Sequence, residues 1–508
     1  MSEPAGPAPL PEELVKQRAK RGVFFVGSLG LVNLAVGFVG SIVLARMLAP
    51  HDFGVVAIGT SLIMVGVALG DGGLASGLIR RELPPTHGEL RAALALQLAL
   101  TGAIALAAAS LGFALGGSGD VVALMMISLP VSAIQTPARI TLWRALRFGP
   151  IASSEAAGVI ASYVWSISGV LLGFDVWALA SGVVVRSLVS SCYVIYAGHL
   201  GVVLPSLREV RSLRSVVAFG LQFQAVSLAA LGRDQGLNVG VAAIAGVSTL
   251  GIWTLTKRLL ELPVLLFEPL HRVSFPLMSH MRAVHQDPTR LINRGIAVAG
   301  TASGLVLVAF AASASELVPA IFGEQWRAAG SIVPFICAAL LVAGPLSVVG
   351  VGFLYAGNEP SVVLKVTIVH TIVVFAVALP LLPSVGPEAI GMGSLSGAIV
   401  DAAIMATAIA RRSSARPLQA HLPTLAIAAP AALLGMAVTA TAGSGLIAAV
   451  AGGLAAAAAY LLSMALFRRA VLVDTTRMVV QAVRSGLTRE RAPQQAELAP
   501  REPARAPA

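Results

Sequence analysis

The sequence predicts an all-α, polytopic membrane protein with about fourteen transmembrane helices, and three observations carry that reading. Of 508 residues, 56% are hydrophobic and only 12% charged, with mean hydropathy +0.85, outside the range of ordinary soluble domains. Apolar segments of roughly 20 residues, the length that crosses a bilayer, recur along the chain, and no polar stretch is long enough for a separate soluble domain. The connections between them alternate between cation-rich and cation-poor, the asymmetry that orients membrane proteins.

Taken in order, the chain opens with a polar leader, 1–21, ending in Lys16, Arg18, Lys20 and Arg21. The apolar run behind it is too long for a signal-peptide core and no small-residue cleavage site follows, so it is expected to stay as the first span. Spans are expected at 22–45, 54–78, 92–115, 120–142, 152–173, 177–198, 214–244, 248–271, 294–314, 328–355, 362–382, 387–410, 422–441 and 446–467. The third and fourteenth are almost wholly apolar. The seventh is the most polar, with Gln222, Gln224, Arg233, Asp234 and Asn238. Arginines gather at alternate connections, for example Arg80/Arg81/Arg91, Arg208/Arg211/Arg214 and Arg411/Arg412/Arg416, whereas the opposite side offers Arg46 and Arg327. Positive residues stay cytoplasmic, so both termini are expected in the cytoplasm, with an even number of spans. Beyond Phe467, a basic tail (468–508) places Val471, Leu472, Met478, Val479 and Val483 on one face of a short interfacial helix. Its Pro/Ala/Arg/Glu-rich remainder is expected to be solvated and disordered.

The net charge of +11 falls in short clusters between apolar segments, which is topology rather than a nucleic-acid surface. Cys192 and Cys337 lie in apolar segments and are expected as small packing thiols. No P-loop or clustered metal-ligand spacing occurs. The expectation is therefore no catalytic residue, no metal and no cofactor.

Two places echo each other. Asp52–Thr60 (DFGVVAIGT) resembles Thr249–Lys257 (TLGIWTLTK), with Gly54 matching Gly251, and Ile140–Pro150 resembles Val351–Pro360. Six spans separate the members of each pair. An even offset implies a parallel repeat about an axis along the membrane normal, with a substrate site between the halves. The expected organisation is an N-terminal six-helix bundle (22–200), a cytoplasmic linker (201–213), a C-terminal six-helix bundle (214–410) and two appended helices (411–467).

Charges inside spans are costly, roughly 2.5–3.5 kcal/mol for a cation at the helix centre, and normally mark function. Lys257 and Arg258 sit side by side in span eight, Arg233 lies in span seven, Arg186 in span six, and Arg46 at the outer end of span one. Glu261 stands within helical pairing distance of Lys257 and Arg258, whereas Arg233 and Asp234 are adjacent and not expected to face each other. Counting Arg233, Lys257 and Arg258 against Asp234 and Glu261 leaves one net positive charge. Asp71, in ALGDGG, is a candidate for charge pairing, ion coupling or capping of a glycine-broken helix. The spacings Gly66–Gly70 and Gly393–Gly397 read as close helix packing.

Three segments, Leu44–Arg81, Ala243–Met281 and Ile321–Phe335 (IFGEQWRAAGSIVPF), resemble the signatures of Wzx-type polysaccharide transporters of the multidrug/oligosaccharidyl-lipid/polysaccharide exporter superfamily. The resemblance runs from about Val15 to Phe467. It implies two six-helix bundles around a cavity open alternately to either face. It also implies a flippase carrying a glycan on polyprenyl pyrophosphate from the inner to the outer leaflet of a bacterial cell membrane. The implied partners are that lipid-linked glycan, membrane lipid, and the polymerase and glycosyltransferases of the pathway. The first two helices of each bundle would line the cavity, which makes Lys257, Arg258 and Arg233 the leading substrate contacts, followed by Arg186 and Arg46. Asp71, Asp234 and Glu261 are the charge partners or coupling groups. A cation-coupled efflux pump of the same superfamily is the alternative, but span one carries no acid. A non-transporting membrane enzyme of glycan assembly is a further alternative, and the outer connections are short for one.

Overall fold

The computed structural model describes residues 12–481 other than 82, 199, 200, 202, 266 and 479. The first eleven residues of the leader and the tail from 482, with Val479 and Val483 of the interfacial face, lie outside the described residues.

Every described element is helical: α1 (Glu12–Met47), α2 (Pro50–Asp71), α3 (Leu74–Arg80), α4 (His87–Leu115), α5 (Ser118–Met126), α6 (Ser128–Ile134), α7 (Thr136–Arg144), α8 (Phe148–Leu171), α9 (Asp175–Gly198), α10 (Arg214–Val264), α11 (Glu268–Ala283), α12 (Thr289–Phe322), α13 (Arg327–Ala356), α14 (Pro360–Val385), α15 (Glu388–Ala410), α16 (Pro417–Thr441) and α17 (Leu446–Phe467). Residues 469–478 are helical too, where the interfacial helix was expected. Among the described residues, eleven helices are long and apolar enough to span a membrane, or twelve if the bent run α5–α7 is one span. The chain is a multi-pass membrane protein.

The difference from fourteen has local causes. Helix α8 is long enough but carries Ser153, Ser154, Glu155, Ser162 and Ser166, which dilute its hydropathy. Spans seven and eight run on as α10, interrupted only at Gly246 (φ 86°, ψ 170°), a conformation that favours glycine. Span eight ends early, at Val264, because Pro263 and Pro269 interrupt the ladder, so Glu268 and His271 belong to α11. Span four is split into α5, α6 and α7, with a 43° bend. Pro130 and Pro137 each remove a backbone donor there.

Sequence signals explain the other ends. Thr86 and Glu89 form a capping box at α4: Glu89 N donates to Thr86 Oγ1 (3.1 Å) and Thr86 N to Glu89 Oε2 (2.9 Å). Helix α2 stops at Asp71 because Gly72 and Gly73 are both left-handed (φ 49° and 77°). Arg144 then caps α3, donating to the carbonyls of Leu78, Ile79 and Arg81.

The chain divides into two compact units. The first comprises Met1–Leu259, Val318–Ala329 and Leu379–Ile390. One of its cores joins Val55, Val121, Met125, Leu129 and Ala180, and another Leu44, Leu48, Val170 and Leu179. The second comprises Leu260–Leu317, Gly330–Ala378 and Gly391–Ala508, around Ile292, Ile296, Leu346, Leu354, Met405 and Ile409. In it α16 and α17 meet along small residues, with Gly435 against Gly452 and Ala456, and Thr439 Oγ1 donates to Ala312 O (2.8 Å). The GxxxG pairs do pack closely: Gly66 meets Leu129, Gly70 meets Thr101, and Gly393 and Gly397 meet α14.

The echoing segments touch within the first unit. A Cβ on Gly54 would strike the Val247 carbonyl, and one on Gly251 would strike the Pro50 carbonyl. Each glycine thus faces the carbonyl four residues upstream of the other. This reciprocal crossing of α2 and the second limb of α10 is locally two-fold, and it needs hydrogen-sized side chains at both positions.

Candidate functional site: a cationic cavity in the first unit

A cavity of about 340 Å³ opens among α1, α2, α8, α9 and α10. Its wall is rich in hydroxyls and amides: Ser41, Thr60, Ser61, Ser162, Tyr163, Ser166, Gln235, Asn238 and Thr254. Three cations line it, Lys257, Arg258 and Arg186, and no carboxylate is among the described lining residues.

The second limb of α10 places Lys257 and Arg258, and neighbouring elements hold them. Lys257 Nζ donates to Asn238 Oδ1 at 2.9 Å, reaching back across the Gly246 break. The Asn238 amide donates in turn to Ser61 Oγ (3.1 Å) and Gln235 Oε1 (3.0 Å), so its orientation is fixed by three partners. Lys257 Nζ also lies 5.5 Å from the Trp253 ring centroid, within cation–π range. Arg258 Nη2 donates to Tyr163 Oη at 3.0 Å, and Tyr163 Oη is 3.2 Å from Ser41 Oγ. Gly37 and Gly40 make room for this arrangement. A Cβ on Gly37 would strike the Arg258 guanidinium, and one on Gly40 the Tyr163 ring. That glycine pair, with a lone tyrosine in a serine-rich span, is the signal that sequence reading missed.

The other candidates separate. Arg186 is exposed in the cavity wall, packed beside Gly158. Arg233 and Asp234 do pair, Nε to Oδ1 at 2.8 Å with both side chains well exposed. This corrects the expectation that adjacent residues cannot face each other, because the long arginine arm folds back over its neighbour. Neither lines the cavity, nor does the exposed Glu261. The cations that line the cavity are thus Lys257, Arg258 and Arg186, with Asp234 acting electrostatically on Lys257 from outside the lining. Arg46 donates to Ala320 O (2.6 Å) and Ile321 O (2.7 Å), closing the last turn of α12. Beside it Gln325 Nε2 and Trp326 Nε1 both donate to Ala45 O (2.9 and 2.8 Å), which gives the IFGEQW motif its structural job.

Asp71 belongs to a second cavity, of about 730 Å³, with Arg80, Gln97, Gln135, Arg139 and Trp143. Its Oδ1 accepts from Ala75 N and from Gln97 Nε2, both at 3.3 Å, so it caps α3 across the glycine break. In the second unit Asp401 accepts from Ser347 Oγ (3.3 Å) and lies 3.7 Å from His370 Nδ1. No group of three potential metal ligands occurs among the described residues.

A polytopic helical protein thus holds a niche in which three cations stand among hydroxyls and amides, a lining whose chemistry suits a polar anion. A family described as polysaccharide biosynthesis protein matches residues 43–331, more than half of the chain, and the protein belongs to that family. It is 24% identical over 335 residues to the lipopolysaccharide biosynthesis protein WzxC of Escherichia coli (strain K12), covering 63% of this chain and 65% of that one. It is also 24% identical over 323 residues to the succinoglycan biosynthesis transport protein ExoT of Rhizobium meliloti (strain 1021), covering 61% and 64%. The chain thus spans just under two thirds of the length of these relatives. Among solved structures, the lipid II flippase MurJ in an inward closed conformation superposes with TM-score 0.66 at 10% identity, over 88% of this chain and all of that one. An inward-facing MATE family transporter of the MOP superfamily gives 0.53 at 15%, over 78% and 95%. At such identities the likeness is one of fold.

Proposed function

We propose that the protein is a flippase that carries a polyprenyl-pyrophosphate-linked oligosaccharide from the inner to the outer leaflet of a bacterial cell membrane, by alternating access. The observation that carries this reading is a cavity lined by three cations, with no carboxylate among its described lining residues. The names of the two curated relatives support it. The pyrophosphate is met by the donor fork of Arg258 and Arg186 and by the point charge of Lys257. Asn238 and Tyr163 already hold Lys257 and Arg258 in place, which lowers the ordering cost of binding. The hydroxyl wall replaces water around the headgroup while the prenyl chain stays in lipid. Residues 22–200 and 214–410 form the two six-helix bundles, joined by 201–213 and followed by the helices of 411–467, with both termini in the cytoplasm. The protein moves its cargo without chemical change and is not an enzyme.

The test is leaflet transfer of the lipid-linked oligosaccharide in vesicles containing Lys257→Gln, Arg258→Gln or Arg186→Gln. A charge-assisted hydrogen bond contributes about 1.5–3 kcal/mol, so each loss is expected to weaken cargo binding roughly 10- to 150-fold. Normal transfer by all three correctly inserted variants overturns the reading.

A further inference from the structure

The larger cavity of the first unit is not explained by carriage of a pyrophosphate. Its charged lining mixes two cations, Arg80 and Arg139, with the carboxylate of Asp71, so it lacks the one-signed character of the smaller cavity. It is nonetheless built for polar contact. Gln97 is 6% exposed, and its Nε2 is committed to Asp71. Its Oε1 is buried without a hydrogen-bond partner among the described residues. A buried amide oxygen left unmet costs about 1–3 kcal/mol, so the site favours a ligand that brings a donor. The same lining carries Gln135, 7% exposed, and Arg139, whose guanidinium acts electrostatically on the Asp71 carboxylate. Trp143, 41% exposed, adds an aromatic wall, held at 5.2 Å by an edge-on contact with Phe148.

Buried acceptors, a planar donor fork and an aromatic face together match one ligand chemistry. A sugar ring offers hydroxyl donors and acceptors around its rim and a C–H face that packs on an aromatic ring. The placement of the two cavities fits as well. Ala57, Thr60 and Met64 of α2 line the smaller one, and Val67 and Asp71 the larger. Those positions alternate by three and four residues, so they form one stripe of a continuous helix. Thr60 and Asp71 are about 16 Å apart along its axis.

We infer that the larger cavity is a saccharide subsite. It takes the glycan of the cargo while the pyrophosphate occupies the Lys257–Arg258 niche, both along one face of α2. The inference rests on the proposed flippase function. Gln97 Oε1 and the Asp71 carboxylate accept from sugar hydroxyls, Arg139 donates to ring or hydroxyl oxygens, and Trp143 covers the apolar face of a ring.

The test compares two lipids bound to the full-length protein in nanodiscs: the lipid-linked oligosaccharide extracted from the producing cells, and bare undecaprenyl pyrophosphate. Arg139→Gln and Gln97→Leu are each expected to weaken the glycolipid about tenfold and to leave the bare lipid unchanged. Trp143→Phe is expected to weaken the glycolipid less, and Lys257→Gln to weaken both lipids. Thermal melts establish that each variant is folded, and Gln97→Met, which keeps the side-chain length, replaces the leucine variant if that one unfolds. Folded cavity variants that leave the glycolipid unaffected, or weaken both lipids equally, overturn the saccharide subsite. If Lys257→Gln, Arg258→Gln and Arg186→Gln all leave both lipids unaffected, the flippase reading itself fails.

Discussion

The reciprocal crossing of Gly54 and Gly251 gives a stability prediction whose sign is opposite to the usual one. Glycine to alanine inside a helix ordinarily stabilises by about 0.5–1 kcal/mol, through backbone entropy. Here each new Cβ would meet a main-chain carbonyl, Val247 O for Gly54→Ala and Pro50 O for Gly251→Ala. A side-chain tip can swing away, but a carbonyl inside a helix moves only if the whole limb moves. Forcing extra atoms into such a seam costs about 1–3 kcal/mol. After the entropy gain, each variant should be destabilised by about 1–2 kcal/mol. Both collisions are relieved by the same separation of α2 from α10, so the double variant should lose less than the sum of the singles, by at least about 0.5 kcal/mol. Equilibrium unfolding in mixed detergent, with the four proteins compared as a cycle, measures both quantities. A single variant that is more stable than the parent, or a double whose loss equals the sum, refutes the reasoning.

Other outcomes follow from the same contacts. Arg233→Gln should leave leaflet transfer within about twofold of normal, because an exposed pair contributes little and Arg233 engages Asp234 away from the cavity lining; a vesicle transfer assay reads this directly. Trp326→Phe removes the donor to Ala45 O and should lower stability by about 1 kcal/mol, seen as a lower melting temperature. The hydrogen bond from Arg412 holds the Glu359 carboxyl below its usual range. A carboxylate lowered in the folded state stabilises above its unfolded value, and that contribution is lost as pH falls through the folded value. Hydrogen exchange around Glu359 should therefore rise in acid below the ordinary carboxylate range, and Glu359→Gln should abolish that pH dependence.

Much of the architecture is legible because hydropathy and arginine placement act locally. Gly246 breaks α10 where spans seven and eight were divided, and the Asp52–Thr60 and Thr249–Lys257 echo marks two segments that meet. Lys257, Arg258 and Arg186 stood out as intramembrane cations, and they share one cavity. What escaped were relations between distant residues. Asn238 reaches Lys257 from 19 residues away, and Tyr163 reaches Arg258 from 95. Arg46 finds its acceptors in α12, 274 and 275 residues on, so its role as a helix-end clamp has no local signature. Arg139 lies within span four and Trp143 just past its end, where Pro130 and Pro137 break the helix and turn what reads as a plain apolar crossing into a cavity wall. Adjacent Arg233 and Asp234 misled for the reverse reason: backbone geometry separates their Cβ atoms, but the length of the arginine side chain overcomes it.

The three-cation niche also has a consequence for the resting protein. Lys257, Arg258 and Arg186 line it with no carboxylate among the described lining residues, so the niche attracts small anions from solution, like a tiny anion-exchange bed. On the proposed function, cargo enters by displacing those ions, and its apparent affinity falls as ionic strength rises. Multivalent anions such as inorganic pyrophosphate then compete far better than chloride at the same concentration, and the proposed transfer carries the salt signature of an exchange reaction.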